Sequence, residues 1–460
     1  MNFSNIGRSA MARIFIIGFL ILLLLIPVEF VRGLINERMY RYNDAVTEIS
    51  SRWGGPQTIQ GPVIMVPFQR VTARTKEKVE VAMDQAYFLP EELGLDADLQ
   101  ASTRKRSIYK AVLYSVDLNI KGNFVLPQSI PYRGEITHIY WDQAAIVIGI
   151  PDTRGVKDQL KLQWNGMTRD FLPGTAGSEV FGQGLHVPLD LTVGRGGRAD
   201  FAFSLRLQGS SYFYITPVGK STVVTMKSNW ADPGFTGSIL PDKHNITEQG
   251  FTSRWSASFF GRGYGQQFVA SEQSSYSNLS SSSFGLELVM PVDHYQKSER
   301  AVKYAILFLI VTFTGYFLFE IFGTRRIHPV QYLMVGSAMV IFYVLFTSFS
   351  EHIDFTLSYS IAALAVILLI GLYTWAILQD RSRALIAGGL MTGLYSYLYV
   401  VLTREDTALL LGSVALFTLL AVVMYLTRNV DWYSLGDKKE NGITNESGSS
   451  SPVSTSPGNK

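Results

Sequence analysis

Residues 14–31 read IFIIGFLILLLLIPVEFV, and this apolar segment decides how the rest of the chain is arranged. A helix needs about 20 apolar residues to cross the hydrocarbon core of a bilayer. About 270 residues follow without another such segment, and five more then occur at Tyr304–Phe322, Val330–Phe349, Leu357–Leu378, Ala384–Leu402 and Ala408–Leu426. No small-x-small cleavage site precedes Arg32, so the sequence predicts an uncleaved signal anchor and six transmembrane helices in all.

The basic residues near these segments predict their orientation. If the segments cross in alternating directions, one side of the membrane receives Arg8, Arg13, Arg325, Arg326, Arg381, Arg383, Arg428, Lys438 and Lys439. The short loops on the other side, residues 350–356 and 403–407, hold a single basic residue, Arg404. Because Lys and Arg are enriched in cytoplasmic loops, we expect both termini in the cytoplasm and residues 32–303 on the opposite side.

Composition excludes several classes of function. The 460 residues carry a net charge of only +3 without a dense basic patch, so we expect no nucleic-acid partner. The absence of cysteine excludes disulfides, thiolate metal sites and cysteine nucleophiles. The six histidines are scattered without an HExxH or H-x-H pair, and no G-x-S-x-G turn occurs. We therefore expect no metal, no other cofactor and no catalytic residues.

The large region between the first and second apolar segments changes from a helical to a strand-like pattern. One helix face holds Ile35, Met39, Tyr42, Val46 and Ile49, which predicts a helical stalk over residues 32–52. Farther along, apolar and polar residues alternate, as in residues 112–121 and 201–208, and Gly and Pro separate these runs. Many short strands with such turns predict a large extracytoplasmic all-β domain of antiparallel, sandwich-like sheets.

These patterns together predict five parts of the chain. They are a cytoplasmic N-terminus (1–13), a first transmembrane helix (14–31), an extracytoplasmic domain (32–303), a five-helix transmembrane bundle (304–426) and a cytoplasmic tail (427–460). The tail from about Gly436 is rich in Ser, Gly, Asn and Pro, which predicts disorder. Because both ends of the large domain continue into membrane segments, we expect two tethers to hold it close to the bilayer.

Charged residues in the outer loops are the first candidate site. Glu351 and His352 lie in one loop, and Arg404, Glu405 and Asp406 lie in the next. These residues are candidates for docking the large domain onto the bundle or for binding a ligand between the two. The favoured interpretation is that they are solvated loop charges.

Charged residues on the inner side are the second candidate site. Arg325, Arg326 and His328 are predicted contacts for anionic lipid headgroups, so membrane lipids are the expected partners. Glu29 and Glu320 lie near the ends of apolar segments. We expect their carboxylates to reach water or headgroups at the interface rather than to form a buried functional site.

Short motifs throughout the chain point to a known family. The large domain contains Gly55-Pro56-Gln57, Gly61-Pro62, Gly182-Gln183-Gly184, Ser228-Asn229-Trp230 and Leu240-Pro241. The membrane region contains Lys303-Tyr304-Ala305, His328-Pro329, Gln331-Tyr332-Leu333, Glu351-His352, Ala408–Gly412 and Asp431-Trp432-Tyr433. In this combination, over almost the whole chain, the sequence resembles the CreD family of cell-envelope integrity proteins.

The resemblance implies a biological setting but no chemistry. It implies a location in the Gram-negative inner membrane, expression under a two-component system, and a link to envelope stress and colicin tolerance. The family brings no established catalytic residues to carry over.

The preferred hypothesis is a non-enzymatic protein that supports envelope integrity through a periplasmic β domain that binds an envelope component. The first alternative is a lipid- or substrate-handling protein with a site between the periplasmic domain and the bundle. An enzyme acting on envelope polymers is a further alternative, but no residue spacing supports it. A transmembrane sensor is the least supported alternative, since the cytoplasmic loops are short.

Overall fold

The computed structural model describes residues 10–74, 78–107, 109–271, 278–288, 294–321, 326–404 and 408–428. The chain divides into two compact units. We call Tyr40–Pro291 the β unit, and Met1–Met39 together with Val292–Lys460 the helical unit. The predicted tail from Gly436 lies outside the described residues.

Long apolar helices make up the helical unit. The described helices are α1 (Ala10–Trp53), α2 (His294–Lys303), α3 (Ala305–Ile321), α4 (Pro329–Ser350), α5 (Phe355–Leu378), α6 (Arg381–Thr403) and α7 (Ala408–Thr427). Within the described residues, α1, α4, α5 and α6 are each long and apolar enough to cross a membrane. Helices α2 and α3 meet at a bend of 44° and count as one further span if they are taken together. Helix α7 contributes a shorter apolar stretch, Leu410–Tyr425.

Polar residues at the loop ends define where the helices begin. The carboxylate of Asp354 accepts a hydrogen bond from the Leu357 N–H at 3.1 Å and caps α5. Asp380 caps α6 in the same way through the N–H groups of Ser382 and Arg383. These side chains satisfy backbone donors that have no partner within the helix.

Helix α1 packs against the helical unit along a single stripe of its surface. The buried stripe consists of Leu20, Leu24, Val28, Val31 and Ile35, at the spacing of one helix face. Residues on the other sides of the helix, such as Phe15, Phe19 and Phe30, are exposed. The predicted stalk lies in the same continuous helix, which ends at Trp53.

The tightest contact on this stripe is between α1 and α4. A Cβ atom at Gly336 of α4 would clash with the side chain of Leu24 and crowd the ring of Phe313 in α3. Glycine therefore lets the two helices approach closely, as small residues do in membrane helix pairs.

The strands of the β unit that the structure describes range from two to 18 residues in length. The first nine are β1 (Gln57–Arg74), β2 (Val79–Phe88), β3 (Glu92–Arg106), β4 (Tyr109–Val125), β5 (Ile136–Ile139), β6 (Ala144–Gly149), β7 (Lys161–Trp164), β8 (Met167–Asp170) and β9 (Leu172–Pro173). The others are β10 (Gly184–Leu189), β11 (Arg198–Ser210), β12 (Tyr212–Ile215), β13 (Ser221–Ser228), β14 (Pro233–Gly237), β15 (Lys243–Thr247), β16 (Gly250–Ser258), β17 (Gln267–Val269) and β18 (Phe284–Leu288).

These strands form two sheets. One has eight strands in the order β15-β16-β13-β3-β4-β11-β7-β8. The other has ten, seven of them in the order β14-β18-β12-β1-β6-β10-β9, while β2 and β5 pair with β1 and β17 pairs with β2. The predicted β-sheet domain is confirmed, but its purely antiparallel pairing is wrong. Strand β1 pairs with β12 in parallel, and β3 does so with β13. An alternating pattern does not reveal this, because side chains alternate between faces in both kinds of pairing.

One hydrophobic core fills the β unit, with buried residues drawn from both sheets. The predicted inward faces of β4 and β11 are buried, including Leu118, Ile120, Phe203 and Leu205. The continuous apolar run at residues 144–150 forms β6, which is buried on both faces between β1 and β10. Such a run is typical of a central strand.

We predict that Gly336→Ala lowers the thermal transition of the full-length protein in detergent by several degrees. The added methyl group overlaps Leu24 and Phe313, and such overpacking costs roughly 1–3 kcal/mol. Gly371→Ala in α5 is the matched control, since a Cβ there has no heavy atom within 4 Å. Equal transition temperatures for the two variants would rule out the close α1–α4 contact.

Candidate functional site

Glu351, the first of the predicted outer residues, is a structural link within the helical unit. It lies directly after α4, and its side chain is only 12% exposed. Its Oε1 accepts a hydrogen bond from the Tyr295 hydroxyl of α2 at 3.1 Å and lies 3.7 Å from Nε of Arg38 in α1. One carboxylate thus joins three helices at this end of the bundle.

Two of the other predicted outer residues, His352 and Arg404, are not part of this contact. His352 and Arg404 are exposed, and Arg404 follows the end of α6. Glu405 and Asp406 lie outside the described residues. Their predicted role in docking or ligand binding stays a prediction.

The predicted inner residues lie where the chain enters α4. The Nδ1 atom of His328 accepts a hydrogen bond from the Val330 N–H at 3.3 Å, and the His328 N–H donates to Gln331 Oε1 at 2.9 Å. This capping box fixes the start of α4. Arg326 is exposed two residues earlier, and Arg325 lies outside the described residues.

Glu320 differs from the expectation that its carboxylate reaches water. Its side chain is 6% exposed, and Oε1 accepts a hydrogen bond from Nη1 of Arg13 in α1 at 2.6 Å. Glu29, by contrast, is exposed and pairs with Arg32 at 2.9 Å. The sequence could not indicate the Arg13–Glu320 pair, because its partners are 307 residues apart.

The first family motif has a structural role in the β unit. Gln57 is fully buried, and its amide donates hydrogen bonds to the carbonyl oxygens of Asp152 and Gln208. The Gly55 N–H donates to Asp152 Oδ2 at 2.8 Å, and Arg154 donates to both oxygens of the same carboxylate. These contacts lower the pKa of Asp152 to about 2. The hydrogen bond from Arg154 has the largest effect, and the Gly55 N–H is the next contact that lowers the pKa.

A second motif residue, Asn229, links the end of β13 to the neighbouring strand β3 of the eight-stranded sheet. The Asn229 side chain accepts a hydrogen bond from the N–H of Ala101 at 2.8 Å and donates to its carbonyl oxygen at 3.1 Å. It therefore takes over the pairing with β3 at the point where β13 ends.

An open groove of about 350 Å³ lies at this same end of the sheet. Strand β13 ends at Ser228, opposite Leu99, whereas β3 continues to Arg106. On the other side of β13, the β15–β16 hairpin turns just before Gly250. The groove residues lie on β3, β13, β16 and β15 and in the segments next to them, beside the end of β13.

The groove is lined mainly by polar side chains. One row crosses four neighbouring strands at matching register and consists of Asn245, Thr252, Lys227 and Asp98. The rest of the lining includes Gln100, Asn229, Thr247 and Gln249. The sequence did not indicate this groove, because its residues come from strands that are distant along the chain.

Charge is balanced within the groove, and several polar groups are uncommitted. Lys227 Nζ lies 2.8 Å from Asp98 Oδ2, and Gln100 donates to Asp98 Oδ1 at 2.7 Å. The Lys227 contact is the main reason that the pKa of Asp98 is below its ordinary value. Within the described residues, the side chains of Asn245 and Gln249 make no hydrogen bond, so they are available to a ligand.

The described residues include no group of three or more His, Asp or Glu side chains that could hold a metal ion. The described clusters of charge are instead ion pairs and caps that join helices or strands.

The apolar, membrane-length helices and the two-sheet β unit define a multi-helix membrane protein with a large β-sheet domain. The family described as inner membrane protein CreD matches residues 9–433, and the chain belongs to this family. The inner membrane protein CreD of Escherichia coli (strain K12) is 33% identical over 417 residues, which cover 90% of this chain and 92% of that protein.

Solved structures resemble this chain only weakly. An M1 zinc metallopeptidase from Deinococcus radiodurans has 9% identity and a TM-score of 0.20, covering 76% of this chain and 92% of that one. A two-domain M1 zinc metallopeptidase bound to L-arginine has 10% identity and a TM-score of 0.18, covering 37% and 39%. Scores this low carry no argument about the fold or activity.

We predict that Asp152→Asn destabilises the β unit by about 1–2 kcal/mol at pH 7. The folded-state pKa of about 2 is below the ordinary value of 3.8. The stabilisation is therefore fully present above about pH 4 and is lost as the pH falls through about 2. Urea unfolding of the full-length protein in detergent, followed by tryptophan fluorescence, measures the difference.

The control is Asp170→Asn, which changes an exposed aspartate of β8. It should leave the urea midpoint unchanged. If Asp152→Asn also leaves the midpoint unchanged at pH 7, the Gly55–Asp152–Arg154 contact does not stabilise the β unit.

Proposed function

We propose that this protein is a non-enzymatic inner-membrane protein that supports envelope integrity by binding a hydroxyl- and amide-rich envelope polymer. In this proposal the β unit lies in the periplasm and both termini lie in the cytoplasm. The family supports the inner-membrane location. The loop charges of the sequence support the orientation.

The groove at the end of β13 is the observation that carries this proposal. Its amides and hydroxyls act both as donors and as acceptors, as do the hydroxyl and acetamido groups of a glycan. The groove is open to solvent rather than enclosed, so a long chain can bind in it without being threaded. An enclosed cavity would instead select a small molecule.

The charge balance of the groove further limits the class of polymer that it can bind. Asp98 and Lys227 neutralise each other, so neither a strongly anionic nor a strongly cationic polymer is favoured by charge. Binding should then depend on many neutral hydrogen bonds and change little with salt. A glycan strand with N-acetyl groups fits this chemistry better than a polyphosphate or a basic peptide.

The experiment is co-sedimentation of the full-length protein, in detergent, with purified peptidoglycan sacculi. We predict that Asn245→Ala and Gln249→Ala each weaken binding roughly threefold to tenfold, as expected for the loss of a neutral hydrogen bond. Both residues lie in the exposed β15–β16 hairpin, so the fold should tolerate either change. Binding of the parent protein should be similar at about 50 mM and 300 mM salt.

Lys243→Ala is the matched control. Lys243 is exposed in the same strand as Asn245 but does not line the groove. The proposal fails if Lys243→Ala weakens binding as much as the groove variants do, or if the parent protein does not sediment with the sacculi.

A further inference from the structure

We infer that a cavity formed by α1, the end of α3 and the start of α4 binds the phosphate of an anionic lipid headgroup. This site is separate from the groove of the β unit and does not depend on the function proposed above. It adds a lipid contact to the first transmembrane helix.

The cavity has a volume of about 260 Å³, and its lining comes from three segments of the helical unit. Helix α1 contributes Arg13, Ile16 and Ile17, and α3 contributes Glu320. Arg326 and Ile327 precede α4, and Tyr332 lies in its first turn. Residues distant in sequence thus enclose one space with basic groups and an apolar wall.

The charge of this cavity favours an anion. Two guanidinium groups, Arg13 and Arg326, face a single carboxylate, Glu320. Glu320 is already bonded to Arg13 and also lies within electrostatic range of Arg326. Among the described residues that line the cavity, one positive charge therefore remains in excess. Arginine binds phosphate through its planar set of N–H donors, which makes phosphate the preferred anion.

Further donors around the cavity suit the same ligand. Since Nδ1 of His328 accepts the Val330 N–H, the ring proton lies on Nε2, which provides a donor at the cavity. The Tyr332 side chain is 3% exposed, and its hydroxyl, next to Glu320, makes no hydrogen bond of good geometry. The positive end of the α4 dipole also favours an anion here.

The location of the cavity favours a lipid over a free phosphate. Arg13 directly precedes the apolar segment that begins at Ile14, so the cavity lies at the depth where headgroups meet acyl chains. Ile16, Ile17 and Ile327 provide an apolar wall beside the charges. The exposed apolar residues Val330 and Met334 then continue along α4 from this point. A glycerol backbone and the start of an acyl chain match this surface.

The experiment is native mass spectrometry of the full-length protein after delipidation and addition of defined lipids. We predict that phosphatidylglycerol is retained roughly tenfold better than phosphatidylcholine. Arg326→Gln should reduce this preference about tenfold, as expected for one charge-assisted hydrogen bond. The double variant Arg13→Gln/Glu320→Gln removes one charge of each sign and keeps Arg326, so it should retain the lipid preference of the parent protein.

Arg381→Gln is the matched control, since Arg381 is an exposed arginine at the start of α6 outside the cavity. It should retain the lipid preference of the parent protein. Equal loss in Arg381→Gln would overturn the proposal in favour of general charge attraction. Free glycerol 3-phosphate should not displace the lipid at equal concentration. If it does, the cavity is a free-phosphate site and the assignment to lipid is wrong.

Discussion

The packing of α1 against α3 and α4 is the contact that joins the two sequence-distant parts of the helical unit. The chain inserts the whole β unit between its first helix and the remaining helices, so this helix must find its partners across a long stretch of sequence. Leu24 over Gly336 provides the close contact, and the pairs Arg13–Glu320 and Arg38–Glu351 lie on either side of it. Arg13 and Arg38 are separated by 25 residues, roughly 37 Å of helix, slightly more than the hydrocarbon thickness of about 30 Å. The two ion pairs therefore fix the depth and rotation of α1, while the apolar stripe provides the packing.

In the β unit, the residues of the family motifs have mainly structural roles, and the proposed binding groove is formed largely by other residues. Gly55, Gln57 and Asn229 form hydrogen bonds that hold strand ends in place, and they assemble no catalytic group. The groove lies beside Asn229, and its polar side chains come from four neighbouring strands. A polar groove at a strand end requires neither strained backbone nor a buried charge, so it adds a binding surface at little cost to stability.

The sequence predicts the features that depend on local pattern. Apolar length indicates the membrane helices, and alternation indicates strands such as β4 and β11 together with their buried faces. It does not predict that β1–β12 and β3–β13 are parallel, because strand direction depends on the order of the whole sheet. Nor does it predict the partner of Glu320, because ion pairs between distant segments leave no local signature. Of the inner candidate residues, Arg326 and His328 do lie around one cavity, whereas Arg13 and Tyr332 are added to that group only by the fold.

The position of α1 in the bundle can be measured directly because the natural chain has no cysteine. Leu24→Cys combined with Gly336→Cys should form a disulfide rapidly on mild oxidation in native membranes, since bonded cysteines need Cα atoms within about 7 Å. Leu22→Cys with Gly336→Cys is the control at similar depth, because Leu22 is on the exposed side of α1. After proteolysis within the β unit, the two fragments should stay linked without reductant only for the first pair. Equal linkage of both pairs, or none for the first, would contradict the packing of α1 described here.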